Sequence, residues 1–400
     1  MRWMLGPGYR AAVLPFRSWA RLGLLTVALA SLAGSGAGAA RTAPGSARTT
    51  PARMLIGYYV GYERDLMPPE EIEWSALTHI AVGVVLPRSN GRLDLGFDLG
   101  PGEGPGFARD LAKRAHKNRV VPILMIGGAG AHAAFRSAAS AGHLQAFIQN
   151  LVAAMRNLGY DGLDLDWEPM SPADRVPFKA LVLALRRALP AAVLTAPAES
   201  TTLTSHDVPP VYREVAPQLD RINLMTYGME GPWEGWKSWH SSALDGAAEA
   251  TPSSVALTVG HFLAAGIPAG KLGVGVGFFG DCWTKPVTGP GQSLRGATIA
   301  ATDNELSYTT IMANYFAPGA AHFDRTARVP YLSFGAPTGP KRCTYISYEN
   351  KASIAAKGAW ARAHGLGGAI VWTINQAHDR TAPAGKRDGL LEAARIAFGI

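Results

Sequence analysis

Between Asp161 and Glu168 the chain reads Asp-Gly-Leu-Asp-Leu-Asp-Trp-Glu, four carboxylates in eight residues. In a β-strand successive side chains point to opposite faces, so Asp164, Asp166 and Glu168 share one face while Leu163, Leu165 and Trp167 share the other. The apolar face demands burial, and the acidic face is carried inward with it. A closed parallel barrel accommodates such a strand, because its C-terminal mouth collects polar groups from several strands at once. Like charges crowded along a lumen raise one another's pKa, so at least one of the three acids should hold a proton near neutral pH. Glu168, nearest the C-terminal end, is the candidate proton donor. Asp161 has the opposite parity and is expected to fix the start of the strand. An Asp-x-Asp pair with no His-x-x-x-His or clustered cysteines nearby is a weak metal signal, so neither a metal nor a cofactor is expected.

The remaining chain supplies seven further strand patterns, at 54–60, 77–86, 120–126, 193–198, 221–227, 272–279 and 368–374, mostly unbroken apolar runs suited to parallel strands buried on both faces. Helical spacing recurs between them, at 68–74, 106–117, 143–158, 172–189, 211–219, 253–265, 352–364 and 387–398. Eight strands alternating with helices predict an α/β chain folded as a (β/α)8 barrel. Hydrophobic residues at 48% and charged ones at 17% suit a large core. Gly273, Gly275, Gly277 and Gly280 spell a Gly-x-Gly-x-x-Gly match, but it lies inside a strand pattern and opens no helix, so a nucleotide site is rejected.

Residues 280–349 are rich in Gly, Pro, Thr and Tyr and read as one long loop excursion after the seventh strand, with a short helix at 308–315. Cys282 and Cys343, the only cysteines, stand near its two ends. An oxidising compartment would join them in a disulfide, closing a loop worth about 4 kcal/mol in the chain-entropy model; two buried thiols are the alternative.

Export is expected from the N-terminus. Residues 1–40 carry Arg2, Arg10, Arg17 and Arg21 and no acid, then an apolar run at 22–33 and small residues up to Ala40, the pattern of a secretory signal peptide. A membrane anchor is the alternative, although the run is shorter than the ~20 residues a spanning helix needs. A flexible linker rich in Ala, Thr, Pro and Ser follows at 41–53, and the barrel occupies 54–400. Removing the four arginines from the net +8 leaves +4 (8 − 4), scattered along the chain, which excludes nucleic acid as an expected partner. After signal removal no membrane association is expected, and the chain should be a monomer.

The acidic stretch resembles the Asp-Gly-x-Asp-x-Asp-x-Glu signature of family 18 glycoside hydrolases, the chitinases and their relatives, with every acidic position filled. Met125-Ile-Gly127-Gly128 resembles the family's Ser-x-Gly-Gly motif with Met in place of Ser. Asn223-Leu-Met225-Thr-Tyr227 resembles the Met-x-Tyr-Asp motif, but Gly228 stands where the acid is expected. Gly266 to Gly277, Tyr345 to Ile354 and Gly367-Gly-Ala-Ile-Val-Trp372 are similar to later segments, in the right order. The resemblance implies a secreted enzyme cleaving chitin, a β-1,4-linked N-acetylglucosamine polymer, or its oligosaccharides. The substrate's own acetamide would serve as nucleophile. Glu168 would then be the acid and base, Asp166 would orient the acetamide, Asp164 would share a proton with Asp166, and Tyr227 would donate to the acetamide oxygen. Trp372 would floor the pocket, Met225 and Tyr58 would line it, and Gly127 and Gly128 would be structural. Four tryptophans, Trp233, Trp236, Trp239 and Trp283, crowd the loops after the sixth and seventh strands and are expected to bind polymer. The irregular excursion implies a shallow groove and internal cleavage. The alternatives are an endo-β-N-acetylglucosaminidase acting on glycoprotein glycans or peptidoglycan, and a non-catalytic chitin-binding lectin.

Overall fold

The computed structural model describes residues 53–400; the expected signal peptide and all of the linker but Arg53 lie outside the described residues. Eight parallel strands form a closed ring. They are β1 (Met54–Val60), β2 (His79–Pro87) with a two-residue antiparallel hook β3 (Leu93–Asp94), β4 (Val121–Gly127), β5 (Gly162–Asp166), β6 (Val193–Glu199), β7 (Arg221–Met225), β8 (Leu272–Gly277) and, after five further strands, β14 (Gly368–Trp372). Each barrel strand pairs with the next, and β1 closes the ring by pairing with both β2 and β14. The chain therefore folds as a (β/α)8 barrel.

Side-chain parity sorts the core into two layers. On β1, Met54, Ile56 and Tyr58 point into the lumen, where they meet Ala81, Ile123, Met125 and Ile370, while Leu55 and Tyr59 join the larger cluster between strands and helices. β5 obeys the same rule with acids inside: Leu163, Leu165 and Trp167 face outward, and the Trp167 ring stacks on Phe135 at 4.9 Å and meets Phe178 edge-on. The apolar half of β5 is thereby clamped by the helices Leu144–Leu158 and Arg175–Ala188, which leaves Asp164 and Asp166 no direction but the lumen.

The sequence misjudged some local structure. The segment at 68–74 forms two single 3-10 turns, Pro69–Glu71 and Trp74–Ala76, because it is too short to propagate a helix. A short helix, His132–Ala138, occupies a stretch whose small residues carry no cap. The glycines of β8 serve close approach: a Cβ on Gly275 would stand 2.6 Å from the Leu224 carbonyl oxygen of β7.

The excursion is a folded insertion, which corrects the expectation of an irregular loop. Its strands β9 (Asp281–Trp283), β10 (Ile299–Ala301), β11 (Ala321–Asp324), β12 (Val329–Thr338) and β13 (Cys343–Ser347) form an antiparallel sheet in the order β10-β9-β13-β12-β11. The helix Tyr308–Asn314 packs Ile311 against Leu306, Leu332 and Ile346 in a core of its own. Cys282 and Cys343 form the disulfide, with 5.3 Å between their Cα atoms, joining neighbouring strands β9 and β13.

Candidate functional site

The site is built from the C-terminal ends of the barrel strands. Hydrogen-bonded pairing of β5 ends at Asp166, two residues short of the predicted strand, yet the alternation continues: Trp167 is buried on the helix side and Glu168 is partly exposed at the mouth. Gly127 and Gly128 let the chain after β4 turn tightly across this point. Gly128 N donates to the Asp166 carbonyl at 2.8 Å, and a Cβ on Gly127 would stand 2.2 Å from Phe135 and 2.3 Å from that carbonyl.

The three acids differ by partner. Asp164 is fully buried; Tyr58 donates its hydroxyl to Oδ2 at 2.8 Å, and Thr195 of β6 donates to Oδ1. Burial pushes its pKa up to about 6, opposed by those two donors. Asp166 is 3% exposed, and its Oδ1 has no hydrogen-bond partner. Burial first, then the charges of Glu168, Asp164 and Glu199, hold its pKa well above the usual carboxylate range. The charge of Asp164 acts on Asp166, and the oxygens of Asp164 accept from Tyr58 and Thr195. Glu168 is raised to about 7, again by burial first and then by Glu199. Desolvation therefore outranks mutual repulsion, the reverse of the sequence-based emphasis.

The space beside the other carboxyl oxygen of Asp166, Oδ2, is taken by the thioether of Met125. The Met125 methyl and Asp166 Oδ2 lie 3.4 and 3.8 Å from a single point, the place where a Cβ on Gly128 would sit. A thioether offers no donor there. Asp166 is thus left one hydrogen bond short, which suits a group waiting for a substrate N–H.

Around the acids, Tyr227, Trp372 and Tyr58 share the lumen cluster with Met125. Tyr227 is half-buried, and its pKa is raised by burial and then by Asp166 and Glu168. Tyr58 is 1% exposed and closes the pocket from below, its ring 5.5 Å from that of Trp372. Met225 is half-buried at the end of β7, in register with Glu199. Gly228 has φ +60°, a left-handed conformation that a side chain at this position would adopt only with strain. Asp161 accepts from His116 at 2.8 Å and lies half exposed at the base of β5, away from the mouth.

Two tryptophans are corrected. Trp283 is 0% exposed and buried within the insertion, its Nε1 donating to Glu230 at 2.7 Å, so it is no binding surface. Trp239 is likewise packed, donating to the Ser253 carbonyl. Trp233 and Trp236 remain half-exposed, edge to face at 4.5 Å. Two residues escaped the sequence reading. Glu199 ends β6, and the register pairing Asp164 with Thr195 carries upward to set Glu199 level with Glu168. Asp303, from the insertion, accepts the Trp372 indole N–H at 3.0 Å. An acid closing a strand was the only available signal for the first; the second opens a 3-10 turn, Asp303–Leu306, in a stretch with no periodic pattern, and had none.

Residues 54–377 match the family described as glycosyl hydrolases family 18. Chitinase A1 from Niallia circulans is 29% identical over 279 residues, covering 61% of this chain and 38% of that protein. The chain thus spans well under half the length of this curated relative. The Group IV chitinase from Ostrinia furnacalis, solved in complex with allosamidin, superposes with a TM-score of 0.73 at 22% identity over 87% of this chain and 99% of that one. A chitinase mutant from Cycas revoluta, solved in complex with (GlcNAc)4, has a TM-score of 0.69 at 25% identity, covering 86% and 100%.

Proposed function

The chain belongs to family 18 of the glycosyl hydrolases, and on that premise we propose that it is an exported chitinase that cleaves β-1,4-linked N-acetylglucosamine chains with retention, using the substrate's acetamide as nucleophile. The observation that carries the reading is Glu168: a carboxyl at the mouth of the barrel, held up to about 7 by burial, beside an Asp166 with an open oxygen. Near neutral pH it is half protonated, so one group can both give and take a proton.

The steps follow from that geometry. Glu168 passes its proton to the glycosidic oxygen as the bond to C1 breaks, and the acetamide oxygen bonds to C1 from the opposite face. Asp166 accepts the acetamide N–H at its open oxygen, while Tyr227 donates to the oxygen during its attack. Glu168, now ionised, takes a proton from the water that opens the ring, and two inversions at C1 give net retention. Trp372 offers the apolar face on which the ring stacks. Asp164, with its oxygens engaged, holds negative charge beneath Asp166. The disulfide supports export, since such bonds persist in oxidising compartments. The folded insertion takes away the shallow-groove argument for internal cleavage, so that mode is read from the product sizes released from (GlcNAc)6.

The test is release of soluble sugar from chitin and from (GlcNAc)6, with a high-mannose glycopeptide as competitor. Turnover of the oligosaccharide, lost in Glu168→Gln by about a thousandfold in kcat, is expected. Turnover of the glycopeptide alone, or undiminished activity in the variant, overturns the reading.

A further inference from the structure

Trp372 is held at its nitrogen by a residue from outside the barrel. Its Nε1 donates to Asp303 Oδ1 at 3.0 Å, and the same oxygen accepts from Gln376 Nε2 at 2.8 Å. That amide nitrogen also reaches Glu63 Oε1 at 2.6 Å, and Thr373 donates to the other Glu63 oxygen at 2.5 Å. Glu63, Thr373 and Gln376 are all buried and follow β1 or β14, so they belong to the barrel itself. Asp303 alone is supplied by the insertion, 69 positions away in sequence from the tryptophan.

The insertion places Asp303 firmly. Its backbone sits at φ +48°, a left-handed conformation that Asp tolerates better than most residues. On one side Thr302 donates its hydroxyl to Asp281 of β9. On the other, Gly280 N donates to the Leu306 carbonyl at 3.0 Å and Tyr308 N to that of Phe278 at 2.8 Å. The segment is thus sewn to the chain leaving β8, whose Gly277 pairs with Trp372 itself.

We propose that Asp303 is a positioning residue for substrate, acting through Trp372: it fixes the rotation of the indole so that its face, and not its edge, meets the sugar ring. Packing against Tyr58 restrains one side of the indole, and the Asp303 hydrogen bond restrains the other. The insertion thereby shapes the pocket of the barrel as well as its surroundings. This rests on the reading of Trp372 as the sugar platform, and the experiment separates the two.

Binding of (GlcNAc)4 is measured by calorimetry in the Glu168→Gln background, with Asp303→Ala, Asp303→Asn, Trp372→Phe and the Asp303→Ala/Trp372→Phe double variant. Asp303→Ala is expected to raise Kd about tenfold, the worth of one hydrogen bond to a carboxylate. Asp303→Asn keeps an acceptor and should stay within about threefold. In the Trp372→Phe background, which lacks the N–H, Asp303→Ala should add less than about twofold. Should Asp303→Ala fail to fold, Asp303→Ser, whose hydroxyl is too short to reach the indole, takes its place. Effects that multiply in the double variant, or an unchanged Kd in Asp303→Ala while Trp372→Phe weakens binding, overturn the positioning role alone. An unchanged Kd in Trp372→Phe overturns the platform reading beneath it.

Discussion

Two of the acidic clusters among the described residues, both with raised pKa values, differ in how their oxygens are engaged. In the lumen stand Asp164, Asp166 and Glu168; where the insertion meets the barrel stand Glu230 and Asp281, 5% and 2% exposed. Burial raises the pKa of both groups, and like-charged neighbours add to it. A raised pKa therefore does not by itself distinguish them. What differs is where the remaining oxygens point. Glu230 Oε2 takes the Trp283 N–H and Asp281 Oδ1 takes the Thr302 hydroxyl; Glu230 Oε1 and Asp281 Oδ2 have no other donor, and a proton held on Glu230 would bond the two acids to each other. That pair closes on itself. In the lumen, Asp166 keeps a bare oxygen and Glu168 reaches the opening. An unengaged acceptor beside a path from solvent, and not a perturbed titration, is what singles out the cluster proposed to react.

The comparison breaks most visibly if the wrong carboxyl controls turnover. Glu168→Gln should lower kcat by about a thousandfold with little change in Tm, whereas Glu230→Gln should leave kcat within about twofold, both measured on (GlcNAc)6 and by thermal unfolding. A second contrast lies in stability. Because the folded pKa of Glu230 lies above its unfolded value, the wild type loses stability as pH rises above about 4.5, where only the unfolded form ionises freely. The amide introduced by Glu230→Gln would donate to Asp281 at any pH, so this variant should gain a few degrees in Tm at pH 8 and much less at pH 4. A Tm gain independent of pH would contradict the shared proton.

Smaller effects sharpen the lumen half. The alkaline limb of kcat/KM should fall near pH 7, where Glu168 loses its proton. Glu199→Gln removes a charge that opposes this ionisation, so the limb should move to lower pH; an unmoved limb would exclude coupling between β5 and β6. Smallest is Gly228→Asp, which adds a carboxylate across the lumen at the price of backbone strain and should shift the pH profile while activity survives. A profile identical to that of the wild type would show that the site does not feel charge there.

The barrel was legible because its information is periodic. Asp164, Asp166 and Glu168 could be assigned to the lumen from parity alone, since Leu163, Leu165 and Trp167 had to meet the helices. Non-periodic relations were hidden. Trp283 resembles a surface aromatic until its N–H is seen to satisfy Glu230, 53 residues earlier in the chain. Strands β9 and β10 have three residues each, too few to show alternation among Gly, Pro and Thr, so the insertion read as a loop. Glu199 carried no repeat to mark it, and its meaning arises only from the register of two neighbouring strands.

The insertion leaves after β8 and returns ahead of the helix Lys351–Ala363, so it occupies a single connection of the ring and interrupts none of the eight pairings. Variation can therefore lengthen, trim or exchange that module while the acids on β5, on another part of the circle, keep their setting. The insertion and the acids of β5 are thus separate pieces of the chain, and the hydrogen bond from Trp372 to Asp303 ties the first to the ring.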